Sequence, residues 1–310
     1  TGVYGLTFIV VLTNAALAQT LLYFTGRLRS EFPIARALGL PAALLAAALL
    51  FGWWQLLPVD PGTAGQQTRI GIVQGNVPQD IKWQPDRNQL TTSRYAEQTR
   101  ELAAQDSADL IIFPETALPF WFEDPQRASE HELITALARE IDTPLLVGSL
   151  GFDTELGHLY NRGFLMDAKG MTVDVVDKVH LVPFGEYLPL PWIFQYMEEL
   201  TAQSGQFAPG VDGHKMLRIP GTEVSFGVFI CYESIFPSIP RQLAAAGASF
   251  LVNTTNDAWF GTTAAPFQHL SMAVVRAVET GRPVVRVANT GISANTSVSG
   301  EEATESVPKQ

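Results

Sequence analysis

The sequence predicts an α/β fold preceded by two membrane-spanning helices. Two long runs at the start of the chain contain no charged residue, and short apolar runs then alternate with longer amphipathic ones. Regular alternation of strands and helices is typical of a sheet that carries helices on both faces. Reactive side chains follow several of the apolar runs, which suggests that the sheet supports a catalytic site.

The two charge-free runs cover residues 1–26 and 37–59. A helix needs about 20 apolar residues to cross a bilayer, so both runs predict membrane-spanning helices. Trp53 and Trp54 stand near the end of the second run, where aromatic residues favour a membrane interface. Helices buried in a protein core are the alternative, although core helices seldom lack charge over such a length.

The segment between the runs, RLRSEFPIAR, carries three arginines and one glutamate. Because short arginine-rich loops remain in the cytoplasm, we expect the second helix to run outward. Residues 1–57 then form two transmembrane helices with a short cytoplasmic loop, residues 58–68 a linker rich in Pro and Gly, and residues 69–310 an α/β domain. In a bacterium this places the chain in the inner membrane and its α/β domain in the periplasm.

After the linker, apolar runs predict strands at RIGIVQGN, LIIFPE, PLLVGSL, TEVSFGVFIC, SFLVNTT and PVVRVAN, and a hairpin within NRGFLMDAKGMTVDVVDK. Amphipathic runs predict helices over residues 86–108, 127–141, 234–247 and 264–281, the last closed by Gly281. The hairpin makes the predicted sheet mixed. The polar end of the chain, EEATESVPKQ, is typical of an exposed loop.

Composition argues against several classes of partner. The chain has 20 basic and 31 acidic residues, a net charge of −11, and no stripe of Lys and Arg, so nucleic acid is not an expected partner. The sequence contains no metal-ligand cluster and no glycine motif of the kind that binds dinucleotides or phosphates. We therefore expect neither a metal nor a cofactor.

Three reactive residues stand at the ends of predicted strands: Glu115 after LIIFP, Lys178 after MTVDVVD and Cys231 after VSFGVFI. Functional residues of α/β folds gather beyond the carboxyl ends of strands, so we expect the three to share a site. Cys231 is the only cysteine and cannot form an internal disulfide. A buried, inert thiol is the alternative to a catalytic one.

A cysteine nucleophile needs a base or a neighbouring cation, because its thiol is mostly protonated at neutral pH. None of the five histidines lies in a recognisable cysteine–histidine signature. Glu115 is the alternative base, and we expect burial at the strand end to raise its pKa. Lys178 can hold a thiolate or stabilise an oxyanion, whereas its residue type alone is also typical of an ordinary surface lysine.

These segments, in this order, resemble the nitrilase, or carbon–nitrogen hydrolase, superfamily. The resemblance runs from about Arg69 almost to the end of the chain. Its motifs are VQGNVPQDIKW, FPET, DKVHLVPFGEYLP, CYESIFP and NTTNDAWFG. With two charge-free spans in front, the chain is most similar to the membrane-bound branch of the superfamily, whose members N-acylate bacterial apolipoproteins.

The resemblance implies an αββα sandwich on a transmembrane bundle, and a two-step acyl transfer without a cofactor. Cys231 would take an acyl chain from a phospholipid as a thioester, and the α-amine of a diacylglyceryl-cysteine apolipoprotein would accept it. Glu115 would be the general base, and Lys178 would stabilise the tetrahedral intermediate. Because the branch has several spans before its catalytic domain and one after it, we expect part of a larger bundle and a domain cut short at its C-terminal end.

Four further residues match positions that this branch needs for activity: Trp83, Glu186, Tyr232 and Glu233. By residue type alone, Trp83 is interpreted as a packed loop aromatic, Tyr232 as a filler at a strand end and Glu233 as an acid in the first turn of a helix. Their place within the motifs favours a functional role, above all for Glu186.

The apolar segment LPLPWIFQYM follows Glu186 almost directly and contains Trp192 and Phe194. Its two prolines favour a loop over a core helix, which is the alternative. Soluble domains rarely expose so large an apolar cluster without a partner, so we expect a lid that dips into the membrane and guides the acyl chain.

Two other functions share the same motifs. A membrane-tethered amidase that hydrolyses a small amide would use the same three residues, but it does not explain the apolar segments LPFWF and LPLPWIFQYM. A non-catalytic binding module on the same fold predicts no acyl adduct on Cys231.

Overall fold

A computed structural model of the chain describes residues 2–27, 34–55, 67–189, 207–261, 263–300 and 302–306. The chain divides into two compact units, Thr1–Gly65 and Gln66–Gln310. Each unit is described below by itself.

The first unit contains two long helices, α1 (Gly2–Phe24) and α2 (Ile34–Gln55), which contact each other. Both are long and apolar enough to cross a membrane. A core helix hides its apolar side chains, whereas within this unit the side chains of Leu21, Leu49 and Trp53 are exposed. The outward apolar surface therefore fits a lipid environment better than a protein core.

Hydroxyl groups in α1 are satisfied within the helix. Thr7, Thr13 and Thr20 each donate to the backbone carbonyl four residues earlier, at 3.0, 2.7 and 2.8 Å. Because lipid offers no hydrogen-bond partner, such internal bonds let a threonine stand in an apolar helix at little cost.

The second unit begins with a five-stranded sheet in the order β1-β2-β3-β4-β5. Strands β1 to β3 are parallel, and β3, β4 and β5 are antiparallel neighbours. Their bounds are β1 Ile70–Ile72, β2 Leu110–Ile112, β3 Leu145–Asp153, β4 His158–Met166 and β5 Thr172–Asp177.

A six-stranded sheet follows in the order β11-β10-β9-β8-β7-β6. Strands β7, β8 and β9 are parallel, while β6, β10 and β11 are added antiparallel at the two edges. The bounds are β6 Met216–Arg218, β7 Ser225–Ile230, β8 Phe250–Thr255, β9 Val284–Ala288, β10 Ser293–Thr296 and β11 Glu302–Ser306.

Helices cover the outer face of each sheet. The α-helices among the described residues of this unit are α3 Gln79–Lys82, α4 Asn88–Gln105, α5 Ala128–Ile141, α6 Ser238–Ala245 and α7 Ala265–Thr280. Side chains of α4 and α5, such as Tyr95 and Leu137, pack on the first sheet. Side chains of α6 and α7, such as Leu243 and Ala273, pack on the second. Gly281 ends α7 with a φ of 62°, a conformation that glycine adopts readily.

The inner faces of the two sheets pack against each other. One buried cluster joins Ile112 and Leu146 of the first sheet to Val228, Val252 and other residues of the second. The layers are therefore helix, sheet, sheet and helix, which is the αββα sandwich that the resemblance implies.

The residue pattern alone led to one mixed sheet with helices on both faces, and that prediction is wrong. Apolar periodicity reports that a strand is buried but not which strand it pairs with. The short strands β6, β10 and β11 were not predicted, and the polar end assigned to a loop contains β11. These strands are only three to five residues long, which is too short for an apolar pattern to stand out from loops.

Candidate active site

Glu115 stands three residues beyond β2, in a turn packed against β3. Gly148 of β3 makes this packing possible, because a Cβ there would lie 2.0 Å from the carbonyl oxygen of Pro114. The next residue, Thr116, has a φ of 46°, and β-branched residues rarely adopt this left-handed conformation. The turn is therefore held by its surroundings, with Glu115 buried inside it.

Glu115, Lys178 and Glu186 form one buried cluster. The Nζ of Lys178 lies 3.0 Å from Oε1 of Glu115 and 2.8 Å from Oε2 of Glu186. Asn161, in β4, donates its side-chain amide to both carboxylates, at 2.7 and 2.9 Å. The other oxygen of Glu115 accepts the backbone N–H of Asn256 at 2.8 Å. Two carboxylates thus share one ammonium and one amide.

The pKa of Glu115 is lowered, not raised as predicted from the sequence. Burial works against its ionisation, but the charge of Lys178 and the hydrogen bonds from Lys178 and Asn161 outweigh it. For Lys178, burial disfavours the charge, yet Glu115, Cys231 and Glu186 raise its pKa above the ordinary value. At neutral pH the pair is therefore a carboxylate and an ammonium.

Cys231 begins a 3₁₀ turn, Cys231–Ile235, directly after β7. Its φ is 51°, a left-handed conformation that costs an ordinary residue roughly 1–3 kcal/mol. Burial raises the pKa of its thiol to about 12, the charge of Glu115 adds to this, and Lys178 and a hydrogen bond with Thr255 oppose it. The resting thiol is protonated, so a base must take its proton when the sulfur attacks.

Glu233 links the chain near Lys178 to the chain near Cys231. Its Oε1 accepts the backbone N–H groups of Val179 and His180 at 2.8 and 2.9 Å, and its Oε2 accepts that of Ile230 at 2.6 Å. Val179 follows Lys178 and Ile230 precedes Cys231. One buried carboxylate therefore fixes the backbone beside both residues.

His180, His214 and Glu233 are close enough to one another to hold a metal ion. The imidazole of His214 also bonds Oε1 of Glu233, at 3.0 Å, and the two imidazoles stack at 5.6 Å between ring centroids. Because Oε1 already has three partners, a cation would have to displace hydrogen bonds that hold the backbone. These hydrogen bonds therefore favour a structural role for the group.

Lys82 is a buried cation that the sequence prediction missed. Its Nζ lies 3.3 Å from the backbone carbonyl oxygen of Glu115 and 5.8 Å from the ring centroid of Trp83. Burial lowers its pKa to about 7, although the charges of Glu115 and Cys231 raise it. It stands in the polar four-residue helix α3, where nothing in the local sequence indicates burial. Only its place beside Trp83 in the motif VQGNVPQDIKW pointed to the site.

Of the remaining predicted residues, Trp83 and Tyr232 fall within the part of the chain that the structure describes. Trp83 is exposed, and Tyr232 is half-buried with its ring edge-on to Phe236, 5.3 Å between centroids. Trp192 and Phe194 lie outside the described residues. Asn161 was also missed, because an asparagine in the middle of a strand carries no signal of its own.

The site is built from both sheets. Glu115, Lys178 and Glu186 follow strands of the first sheet, whereas Cys231 and Asn256 follow β7 and β8 of the second. The expected base and the expected nucleophile thus come from different sheets, and the charge of Glu115 acts on the thiol of Cys231.

Comparison with known proteins agrees with this geometry. The sequence model of the carbon-nitrogen hydrolase family matches residues 69–306. The chain belongs to the carbon-nitrogen hydrolase family. The resemblance drawn from the motifs is therefore confirmed, and the matched residues include every element of the two sheets.

Two relatives in this hydrolase family extend the similarity beyond the sandwich. A protein of Geobacter metallireducens named apolipoprotein N-acyltransferase is 38% identical over 295 residues, which cover 94% of this chain and 55% of that protein. A protein of the same name from Gloeobacter violaceus is 38% identical over 257 residues, which cover 83% of this chain and 47% of that protein. The chain spans about half the length of these relatives.

Solved structures confirm the hydrolase-family fold. The amidase from Nesterenkonia sp. AN1 is 19% identical, covers 76% of this chain and 87% of its own, and has a TM-score of 0.55. Nit3 of Saccharomyces cerevisiae, a member of the nitrilase superfamily, is 20% identical over 77% of this chain and 85% of its own, with a TM-score of 0.58. At such identity the likeness shows the fold alone.

Proposed function

We propose that the chain carries the catalytic domain of an apolipoprotein N-acyltransferase. The observation that supports this most is its 38% identity, over 94% of its length, to a protein of that name. The acyl donor would be a phospholipid and the acceptor the N-terminal amine of a diacylglyceryl-cysteine apolipoprotein. A donor that resides in the bilayer explains why two apolar helices accompany a nitrilase-type domain.

In the first step, Glu115 accepts the proton of the Cys231 thiol as the sulfur attacks the ester carbonyl carbon of the phospholipid. Lys178 stabilises the oxyanion of the tetrahedral intermediate. The intermediate collapses, the carbon–oxygen ester bond breaks, and the lysophospholipid alkoxide takes the proton from Glu115. The product is a thioester on Cys231 and a free lysophospholipid.

In the second step, the α-amine of the apolipoprotein attacks the thioester carbonyl carbon. Glu115 accepts a proton from the nitrogen, the carbon–sulfur bond breaks, and the proton passes to the leaving sulfur. The amide product leaves, and the buried ion pair of Glu115 and Lys178 is restored. No cofactor takes part in this scheme.

Four residues are assigned supporting roles. Glu186 shares Lys178 with Glu115, and Glu233 fixes the backbone beside Lys178 and Cys231. Trp83 and Tyr232 are assigned to substrate contact, since both side chains are accessible, Trp83 lies under the ammonium of Lys82 and Tyr232 directly follows Cys231. Trp192 and Phe194 are assigned to a lid over the acyl chain. We assign residues 1–57 to the bacterial inner membrane and residues 69–310 to the periplasm.

The proposal is tested by weighing the intact protein. The chain is reconstituted into phospholipid vesicles of one defined acyl composition, and its mass is measured before and after treatment with neutral hydroxylamine. We expect a mass increase equal to one acyl chain, which hydroxylamine removes as it would a thioester. Adding a synthetic diacylglyceryl-cysteine peptide should transfer the acyl group to the peptide.

The C231A variant is the control and should acquire no adduct. Release of free fatty acid without transfer, or hydrolysis of a small amide, would favour an amidase. The absence of any adduct would favour a binding module. Substantial acylation of the peptide by C231A would overturn the assignment of the nucleophile.

A further inference from the structure

A buried polar network outside the cluster of Glu115, Lys178 and Glu186 ends on the backbone of Cys231. His269, in α7, has its Nε2 3.0 Å from the carbonyl oxygen of Cys231 and its Nδ1 2.9 Å from Oδ1 of Asp257. Both His269 and Asp257 are buried. A histidine therefore does contact the cysteine, but at the main chain and not at the sulfur.

The contact requires that Nε2 of His269 carry a hydrogen. A carbonyl oxygen can only accept, so Nε2 must be the donor. That nitrogen has no lone pair to offer the thiol. His269 is therefore not the general base, although it is buried beside the nucleophile.

Asp257 and Arg286 fix the imidazole from its other side. The guanidinium of Arg286 lies 2.6 Å from Oδ2 of Asp257 and also bonds the side-chain oxygen of Asn253. Burial opposes the ionisation of Asp257, but the bond from His269 and the charge of Arg286 hold its pKa below the usual value. An imidazole bonded to a carboxylate has a fixed ring orientation.

The network includes a second residue that acts on Cys231. The hydroxyl of Thr255 donates to Oδ1 of Asp257 at 3.1 Å, and Thr255 also opposes the rise in the pKa of the Cys231 thiol. Asp257 is thus bonded to His269, which contacts the carbonyl oxygen of Cys231, and to Thr255, which influences its thiol.

We propose that Asp257, His269 and Arg286 form a positioning device that holds the backbone of Cys231 in its left-handed turn and thereby fixes the position of its sulfur. The inference rests on the proposed function insofar as Cys231 is the nucleophile. A residue with a φ of 51° remains in that conformation only where its surroundings enforce it. His269 supplies that restraint from α7, an element that does not belong to the sheet carrying the cysteine.

The test uses the single thiol of the full chain in phospholipid nanodiscs. Alkylation of Cys231 by iodoacetamide is followed by intact mass, well below the lowest melting temperature of the variants. H269Q keeps an amide donor that reaches the position of Nε2, whereas H269N keeps the contact with Asp257 but is too short to reach the carbonyl. H269F fills similar volume without a donor. H158Q, at an exposed position in β4, is the control.

We expect H269N and H269F to be alkylated on the order of 10²-fold more slowly than wild type, the usual cost of misplacing a reacting group by about 1 Å. H269Q should be alkylated at close to the wild-type rate, and H158Q should match wild type. Melting temperatures of H269Q and H269N should fall by similar amounts, so that stability does not explain the difference in rate.

Alkylation of H269N at the wild-type rate or faster would overturn the proposal. So would equally slow alkylation of H269Q and H269N, which would make His269 a structural residue only. Because iodoacetamide needs no phospholipid, the result is independent of the proposed function. If the variants show the expected alkylation rates but wild type never forms a thioester, the acyltransferase assignment fails and the positioning device stands.

Discussion

Glu115 and Lys178 form an ion pair from which water is almost completely excluded, with Oε1 and Nζ 3.0 Å apart. Taking two charges out of water is costly, and the pair persists because Glu186 and Asn161 supply further hydrogen bonds. The arrangement keeps the expected base, Glu115, ionised and keeps Lys178 protonated. It also leaves the thiol of Cys231 as the only member of the proposed triad that is neutral at rest.

Replacing Glu115 by glutamine should abolish its capacity to accept a proton while nearly preserving its shape. General base catalysis is typically worth about 10²–10⁴-fold, so thioester formation should slow by at least the lower figure. The measurement is the rate at which the intact protein gains one acyl mass. An unchanged rate would make Glu115 structural, and His180 would then be the base to test.

Replacing Lys178 by methionine should strongly destabilise the second unit. The variant leaves Glu115 and Glu186 buried without their counter-ion, and breaking such a pair costs about 3–5 kcal/mol. The melting temperature, followed by circular dichroism, should fall strongly in K178M and recover partly in the double variant K178M with E186Q. The control is K169M in the exposed turn between β4 and β5, which should melt as wild type does. Equal melting of K178M and wild type would show that the ion pair contributes no stability.

The loss of stability caused by K178M should also depend on pH. In wild type the folded pKa of Glu115 is lowered, so its stabilisation is present above the unfolded pKa and is lost as pH falls through the folded one. In K178M the largest opposition to burial is gone, and only the bond from Asn161 and the charge of Lys82 still lower the pKa of Glu115. We therefore expect its folded pKa to rise and acidification to stabilise that variant. The difference in melting temperature should therefore shrink toward acid pH, and a constant difference would contradict this account.

The thiol of Cys231 should titrate far above an ordinary cysteine. The unfolded thiol loses its proton near its reference pKa of about 8.5, whereas the folded thiol keeps it until about 12. Between these values the unfolded state binds fewer protons, so stability should fall as pH rises. The melting temperature of wild type should therefore decline more steeply than that of C231A in this range. Parallel curves would mean that the folded thiol ionises normally.

The proposed lid predicts a difference between two acyl donors. Burying a Phe or Leu side chain is worth about 1.5–3 kcal/mol. The double variant W192S with F194S should therefore bind a long acyl chain more weakly. Transfer from long-chain phospholipid in bilayers should collapse, while acylation of Cys231 by a short, water-soluble thioester should survive. L156S, at an exposed position between β3 and β4, is the matched control. Equal losses with both donors and a lower melting temperature would place the segment in the core.

The proposed orientation predicts which thiols are accessible from outside the cell. In a C231A background, D212C stands at an exposed position of the second unit and R36C at an exposed position of α2. A membrane-impermeant maleimide should label D212C in intact spheroplasts and R36C only after permeabilisation. The reverse pattern would place the second unit in the cytoplasm.

The sequence predicted the elements better than their arrangement. Runs such as LIIFP and VSFGVFI are apolar because they are buried, and burial is a local property that periodicity reports. Pairing is not local. Nothing in the hairpin β4–β5 indicates that the first sheet ends there and that β6 to β11 form a second one.

The site shows the same limit. Strand ends and motifs pointed to Glu115, Lys178 and Cys231, whereas Lys82 and Asn161 were missed because their significance arises from contacts with distant residues. The pKa of Glu115 was predicted in the wrong direction because burial was considered without the ammonium that accompanies it. His269 stands on the buried face of an amphipathic helix, where a core role is the ordinary interpretation.

Because Glu115 follows β2 and Cys231 follows β7, the distance between the carboxylate of Glu115 and the sulfur of Cys231 depends on how closely the two sheets pack. Side chains between the layers, Ile112 and Val228 among them, act as spacers for that gap. Loosening them can separate the two groups while every strand keeps its hydrogen bonds. Heat inactivation should therefore begin several degrees before the far-ultraviolet circular dichroism signal changes. Selection for activity at a new working temperature would then act on these spacers and leave the proposed catalytic groups themselves unchanged.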